Sequence, residues 1–324
     1  MSRFPFGMPK GWFLLAYSGE LEPGRPLAFE RLGRSLVLFR GESGRAHALD
    51  AHCPHLGAHL GIGGRVVGDT IQCPFHGWRF AGDGVCTEIP YAKRIPAGAR
   101  AGSHPLVERN GMLFVWHDPS GGPPAFEIPT LPEWGDPEWL GSWMQWDWTV
   151  KTQPQEMAEN GIDWPHFATI HRIPAPENRR AEFREHSFFW QVGGTKPVVA
   201  LESGRDEILM HGENWGVGYS WLRQRGEYET IVVTGMTPID DETTWVRMGV
   251  IAKIGASPSP AALAAFAAYM AEHARFAEAD FPIWENKQHR VRPLLCDGDG
   301  PIADYRRWAA RFHPAPDRTD EERS

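Results

Sequence analysis

Apolar and polar positions alternate in short runs over the N-terminal part of the chain, as at residues 12–17, 35–40 and 112–116, with glycine and proline between them. Period-two alternation broken at turn residues predicts a small antiparallel β domain over 12–118, with residues 1–11 as an irregular arm. Asp118-Pro119-Ser120-Gly121-Gly122-Pro123-Pro124 is a breaker, and with Pro129, Pro132 and Pro137 it marks a linker over 119–142. A second domain is expected over 143–313. It opens with an alternating aromatic strand at 143–150, and runs at 187–192, 197–201, 207–211, 228–233 and 243–254 predict a sheet of about six strands. The periodicity then changes to that of a helix. Ser259 can cap it, Pro260 suits its first position, and the pattern runs on towards Asp280. A shorter amphipathic helix is expected over 301–312, with Ile302, Tyr305, Trp308, Ala309 and Phe312 on its apolar side. Residues 314–324 form a charged tail. The fold class is α+β.

Composition narrows the function classes. The chain has 324 residues, 42% apolar and 23% charged, which is ordinary for a globular protein with a sizeable core. A net charge of −8 argues against nucleic acid or an anionic membrane as a partner. The longest alanine-rich apolar run, residues 261–271, is too short to span a bilayer, and no secretory leader pattern opens the chain. A cytoplasmic location is expected. Fifteen tryptophans imply large apolar walls.

The chemistry begins at Cys53-Pro54-His55 and Cys73-Pro74-Phe75-His76. Each stretch offers one thiolate and one imidazole, so two loops would supply a mixed set. A Rieske 2Fe-2S centre needs that set, two cysteines on one iron and two histidines on the other. A structural zinc site is the alternative, although zinc modules usually pair cysteine with cysteine and histidine with histidine. Gly57 and Gly77 follow the histidines and let the backbone turn close to a cluster. Cys86 and Cys296 remain, and are expected as unpaired reduced thiols.

A second ligand set starts at His166 and His171. On an unbroken helix, positions five apart point about 140° away from each other. Pro165 disfavours helical geometry at Trp164, so a kink or wide turn there would bring both imidazoles to one point. Otherwise the two histidines are simply packed or solvated. On the long helix Phe266, Met270, His273, Phe276 and Ala277 share a stripe with Asp280 and Trp284. A carboxylate on that stripe needs a cation or strong donors unless it reaches water. Two histidines and one carboxylate with open positions suit non-haem Fe(II).

On these motifs the chain resembles the Rieske non-haem iron oxygenases over roughly residues 10–313. Ala58 and Phe75 stand where Rieske proteins of cytochrome bc complexes carry extra cysteines, which places the likeness in the oxygenase and ferredoxin branch. The resemblance implies a Rieske domain bearing 2Fe-2S on Cys53, His55, Cys73 and His76, then a helix-grip, START-like catalytic domain with iron on His166, His171 and Asp280. It makes Asp163 the bridge that carries electrons to iron from a neighbouring subunit's cluster, and Asn160 a near-iron asparagine. Asp163 orienting His166 within one chain is the alternative. Trp164-Pro165 departs from the smaller pairs usual at that place.

The implied enzyme is a terminal oxygenase using O2 and electrons that originate from NAD(P)H. They arrive through a ferredoxin or a flavin or iron–sulfur reductase, since no flavin- or nicotinamide-binding fingerprint occurs here. It implies a homotrimer. Residues 283–287, 295–302 and 53–61 are similar to the 3-ketosteroid 9α-hydroxylase and cholesterol 7-desaturase branch, implying a hydrophobic polycyclic substrate, a steroid or sterol, that is hydroxylated or desaturated. An oxygenase or demethylase of small aromatics is the alternative within the class. An electron carrier without catalysis is the alternative outside it.

Overall fold

The computed structural model describes residues 3–173, 177–197 and 205–314, and it divides into two compact units. One unit is Trp12–Thr130; the other joins Met1–Gly11 to the chain from Leu131 onward.

The first unit is built from eleven short strands: β1 (Gly11–Tyr17), β2 (Leu27–Arg31), β3 (Arg34–Arg40), β4 (Ala46–Asp50), β5 (Arg65–Val67), β6 (Thr70–Gln72), β7 (Arg79–Ala81), β8 (Cys86–Glu88), β9 (Ser103–His104), β10 (Leu106–Arg109) and β11 (Met112–His117). They form three sheets, ordered β1-β11-β10, β2-β3-β4-β9 and β5-β6-β7-β8. The middle sheet shares a core with β1 and β11, in which Phe13, Leu15, Leu36, Leu38 and Leu113 are fully buried. A second core, including Val37, Phe39, Leu60, Ile71 and Phe80, lies behind Cys53 and Cys73.

In the other unit seven antiparallel strands make one sheet, ordered β12-β18-β17-β16-β15-β14-β13. These are β12 (Met144–Val150), β13 (Glu177–Phe183), β14 (Ser187–Pro197), β15 (Arg205–Trp215), β16 (Tyr219–Arg225), β17 (Thr230–Pro238) and β18 (Thr244–Ala252). β12 closes onto β18 along its whole length, Met144 opposite Val250 and Val150 opposite Thr244. The helices are α1 (Pro154–Ala158), α2 (Trp164–Thr169), α3 (Pro260–Glu278), α4 (Phe281–Asn286) and α5 (Ile302–Ala309). Ser259 caps α3, its hydroxyl accepting from the Ala262 amide at 3.2 Å. The apolar side of α5 is buried as its pattern predicts, with Tyr305 and Ala309 fully covered.

Three sequence expectations need adjustment. β13 and β16 are two strands that alternation did not reveal. β13 is an edge strand of sequence ENRRAEF, exposed at residues 178–180 and with Phe183 as its one large apolar residue, so it carries no apolar stripe. The expected strand at 197–201 reduces to Pro197 at the end of β14, the rest lying outside the described residues, as does the tail after residue 314. Residues 119–142 divide between the units. Trp12 and Trp116 donate their indole N–H groups to the carbonyls of Phe126 and Gly122 in the first unit, whereas the amide of Leu140 bonds the carbonyl of Ala252 in the other. The N-terminal arm packs with the second unit: the Lys10 amide donates to Phe312 O at 2.6 Å and the Phe6 ring meets His289 and His313.

Candidate active site

The two cysteine loops are the same turn made twice. The Cys53 amide donates to Ala58 O at 2.9 Å and the Gly57 amide to Cys53 O at 2.9 Å; Cys73 and Trp78, then Gly77 and Cys73, repeat this at 2.8 and 3.1 Å. Gly57 and Gly77 close the turns at φ 76° and 74°, the left-handed region that a side chain disfavours. Both cysteines are 3% exposed, while His55 and His76 are half-buried towards solvent with their rings 4.8 Å apart. The His55 ring stacks on Trp78 at 4.7 Å, and the Trp78 indole donates to the Tyr91 hydroxyl at 2.9 Å.

Burial, reinforced by Cys73 alongside, pushes the Cys53 thiol up to about 11, against an amide hydrogen bond from His55 that favours the thiolate. Two neighbouring buried thiolates are stable only facing strong positive charge, which iron supplies. The donor set therefore fits a 2Fe-2S cluster. Cys86 is buried in the same core and unpaired, and Cys296 is exposed and unpaired.

His166, His171 and Asp280 come from three places in the second unit, yet their ligand atoms lie within 4.8 Å of one another. Pro165 does not kink a long helix. It occupies the first turn of α2, where its missing amide costs nothing, and α2 ends before His171. Arg172 then takes φ 56°, turning the chain away. His171 is thus released from the helical rotation that would separate it from His166. The two rings are 5.1 Å apart and nearly perpendicular. Nδ1 of His166 bonds the backbone carbonyl of Asp163, which leaves Nε2 with the lone pair for a metal.

Asp280 lies beyond α3, not on it: the helix ends at Glu278, and Asp280 is the N-cap residue of α4. Its Oδ2 is 3.2 Å from Nε2 of His171, with both side chains buried. Phe276, one turn earlier, stacks on the His171 ring at 4.0 Å. Two imidazoles and one carboxylate converging on a single point fit a mononuclear iron with open positions.

Burial raises the pKa of Asp163, while the charge and the amide of His166 pull it back. Burial lowers that of His166, against the Asp163 carbonyl and Asp280. Asn160 accepts from the Trp284 indole at 3.3 Å. Asn160 and the three metal-site residues share the wall of one cavity of about 220 Å³, and Asp163 is not among its lining residues. Trp190, Asn214, Ser220, Thr234 and Phe276 also face this cavity. Phe276 lay on the helical stripe read from the sequence; the four strand residues were missed, because alternation along one strand does not say which cavity its inner face will line.

Residues 11–99 match the Rieske 2Fe-2S domain family, and residues 115–313 match the 3-ketosteroid 9alpha-hydroxylase C-terminal domain family. The chain belongs to the Rieske oxygenases. This oxygenase is 33% identical to a 3-ketosteroid-9-alpha-monooxygenase oxygenase component of Rhodococcus rhodochrous, over 95% of this chain and 82% of that protein. It is 31% identical to the cholesterol 7-desaturase nvd of Xenopus laevis, over 94% of this chain and 72% of that protein. Among solved structures, dicamba monooxygenase bound to dicamba superposes with a TM-score of 0.75 at 20% identity, covering 95% of this chain and 98% of that one, a likeness of fold. The oxygenase is accordingly an oxidoreductase of the monooxygenase type. Its family works with a 2Fe-2S cluster, mononuclear iron, O2 and electrons from a separate reductase. A catalytic-domain match over residues 115–313 rules out a lone electron carrier. Among the described residues no helix is long and apolar enough to cross a membrane.

Proposed function

We propose that this oxygenase hydroxylates or desaturates a steroid or sterol, taking electrons from a ferredoxin or a flavin or iron–sulfur reductase. The observation that carries the reading is the cavity wall. Trp148, Phe167, Trp190, Phe276, Phe281 and Trp284 face the same space as the metal ligands, with methionines between them and no lysine or arginine among the described lining residues. Such a wall desolvates an apolar polycycle and gives no anchor to a small carboxylated aromatic. The named activities of the two relatives support the same reading.

His166, His171 and Asp280 would hold iron on one face, and Cys53, Cys73, His55 and His76 would hold the cluster. When bound, the two centres supply single-electron delivery and the reduction of O2. The chain's own residues do the rest. Phe276 and the Asp163 carbonyl fix the two imidazole planes, Asn160 and Trp284 brace each other beside the ligands, and the aromatic wall excludes water. Asp163 would relay electrons from the cluster of a neighbouring subunit, which calls for an oligomer; the assembly proposed is a homotrimer, and the location proposed is the cytoplasm.

Inserting one oxygen atom into C–H, or removing two hydrogens as water, each takes two external electrons per O2. The test is uptake of O2 and NADH by iron-loaded protein with a surrogate reductase, against 3-ketosteroids, sterols and methoxy-aromatics, with products weighed by mass spectrometry. One NADH per steroid that gains an oxygen or loses two hydrogens is expected. Turnover confined to a small aromatic would overturn the substrate.

A further inference from the structure

Apart from Asn160 and the three metal-site residues on its helical side, the described lining of the cavity is apolar except for one line across its sheet wall. Asn214 on β15 stands directly opposite Ser220 on β16, and Ser220 opposite Thr234 on β17. Directly opposite residues place their Cβ atoms about 5 Å apart, so the three polar side chains form a row across three adjacent strands. On the next strand the row ends at Met248, and Leu222 and Met236 border it along the strands.

The row is oriented. Trp190 lies over Gly212, its cross-strand partner, where an added Cβ would sit 3.0 Å from the indole ring. From there its N–H donates to Oδ1 of Asn214 at 3.2 Å. An indole only donates, so the Asn214 amide must turn its oxygen to Trp190 and its two N–H donors the other way. Asn214 is 4% exposed and lines the cavity. No hydrogen bond from its NH2 group or from the hydroxyls of Ser220 and Thr234 reaches a described residue. Polar groups left unmatched in an apolar pocket cost free energy that a ligand oxygen can recover.

We propose that Asn214, Ser220 and Thr234 bind a neutral oxygen of the substrate, a ketone or hydroxyl carried by an otherwise apolar skeleton. The donors select an acceptor. With no lysine or arginine among the described lining residues, a carboxylate placed against the row would be buried without a counter-charge. The metal ligands come from the helical side and the row from the sheet, so the row fixes which carbon faces the iron. This assignment names the recognition chemistry of the proposed steroid site and rests on that reading.

The test uses holoprotein and three steroids of one skeleton, bearing a ring ketone, a methylene or a carboxylate at the same terminal position. Affinity is read by tryptophan quenching and product position by mass spectrometry. Wild type is expected to bind the ketone best and the carboxylate worst. Ser220→Ala, Thr234→Val and Asn214→Leu should each weaken the ketone about three- to tenfold, leave the methylene analogue unchanged and spread the products over more than one carbon. Thr234→Val keeps shape and serves if Asn214→Leu, which also strips Trp190 of its acceptor, fails to fold. A ketone-to-methylene ratio unchanged in every folded variant overturns the row while leaving the steroid reading intact. Wild type binding none of the three steroids overturns both.

Discussion

The two candidate ligand sets of this chain are built by opposite means. Each cluster loop closes on itself through two backbone hydrogen bonds and a left-handed glycine, so its geometry is written into six consecutive residues. The mononuclear site has no such local frame. His166 stands within α2, His171 just after it, and Asp280 arrives from the far end of α3. A local turn tolerates change elsewhere. A site assembled by packing inherits every weakness of the elements that carry it.

The largest effect should separate the two sets outright. Asp280→Ala or His171→Ala should lose mononuclear iron and reduce turnover to background with the cluster's visible spectrum intact, whereas Cys73→Ala should bleach it. Metal analysis beside absorption spectroscopy decides this, and a cluster lost in the Asp280 variant would break the contrast.

A charge network props up the iron side. Glu156 is fully buried, with Lys287 at 2.6 Å and His289 at 2.7 Å, and Lys287 also reaches Glu159, which Arg306 clasps. Glu156→Gln leaves these cations undercompensated. A loss of about 3 kcal/mol is expected, read as denaturant unfolding of the catalytic unit and as lower iron occupancy at unchanged cluster content.

Acid should widen the gap. Burial holds His313 down at about 4, and His117 in the other unit likewise. Folding favours their neutral forms, so that stability is complete above about pH 6.5 and declines as pH falls towards 4, by up to about 3 kcal/mol for each. Glu156 is held at about 2, burial opposing and the His289 bond and Lys287 charge prevailing, and its contribution is lost below about pH 4.5. The catalytic unit carries two such groups and should lose tertiary fluorescence first. A first transition accompanied by cluster loss would reverse that order.

The smallest test lies in the loops. Gly57→Ala meets no neighbouring atom, so only backbone strain acts, about 1–2 kcal/mol. Faster bleaching of the cluster on warming, with iron content unchanged, is the expected result.

The cluster loops were legible because ligand spacing, proline and glycine all sit within one turn. The β character of the first unit, the cap at Ser259 and the apolar side of α5 were legible for the same reason: period and capping are properties of neighbouring residues. Asp280 was found from helical periodicity, but its position in the junction between two helices was not, because a helix end depends on what the next segment packs against. At His166 and His171 the sequence supplied the donors and the proline. It did not reveal that α2 would stop between them. The edge strand β13 and the row of Asn214, Ser220 and Thr234 were hidden altogether, since strand pairing decides both. Residue chemistry and local turns thus determined which metals this protein is built for. The register of a seven-stranded sheet and the end of one helix decided where His166, His171 and Asp280 meet and what faces them, because contacts between distant segments are made by packing and leave no period in the chain.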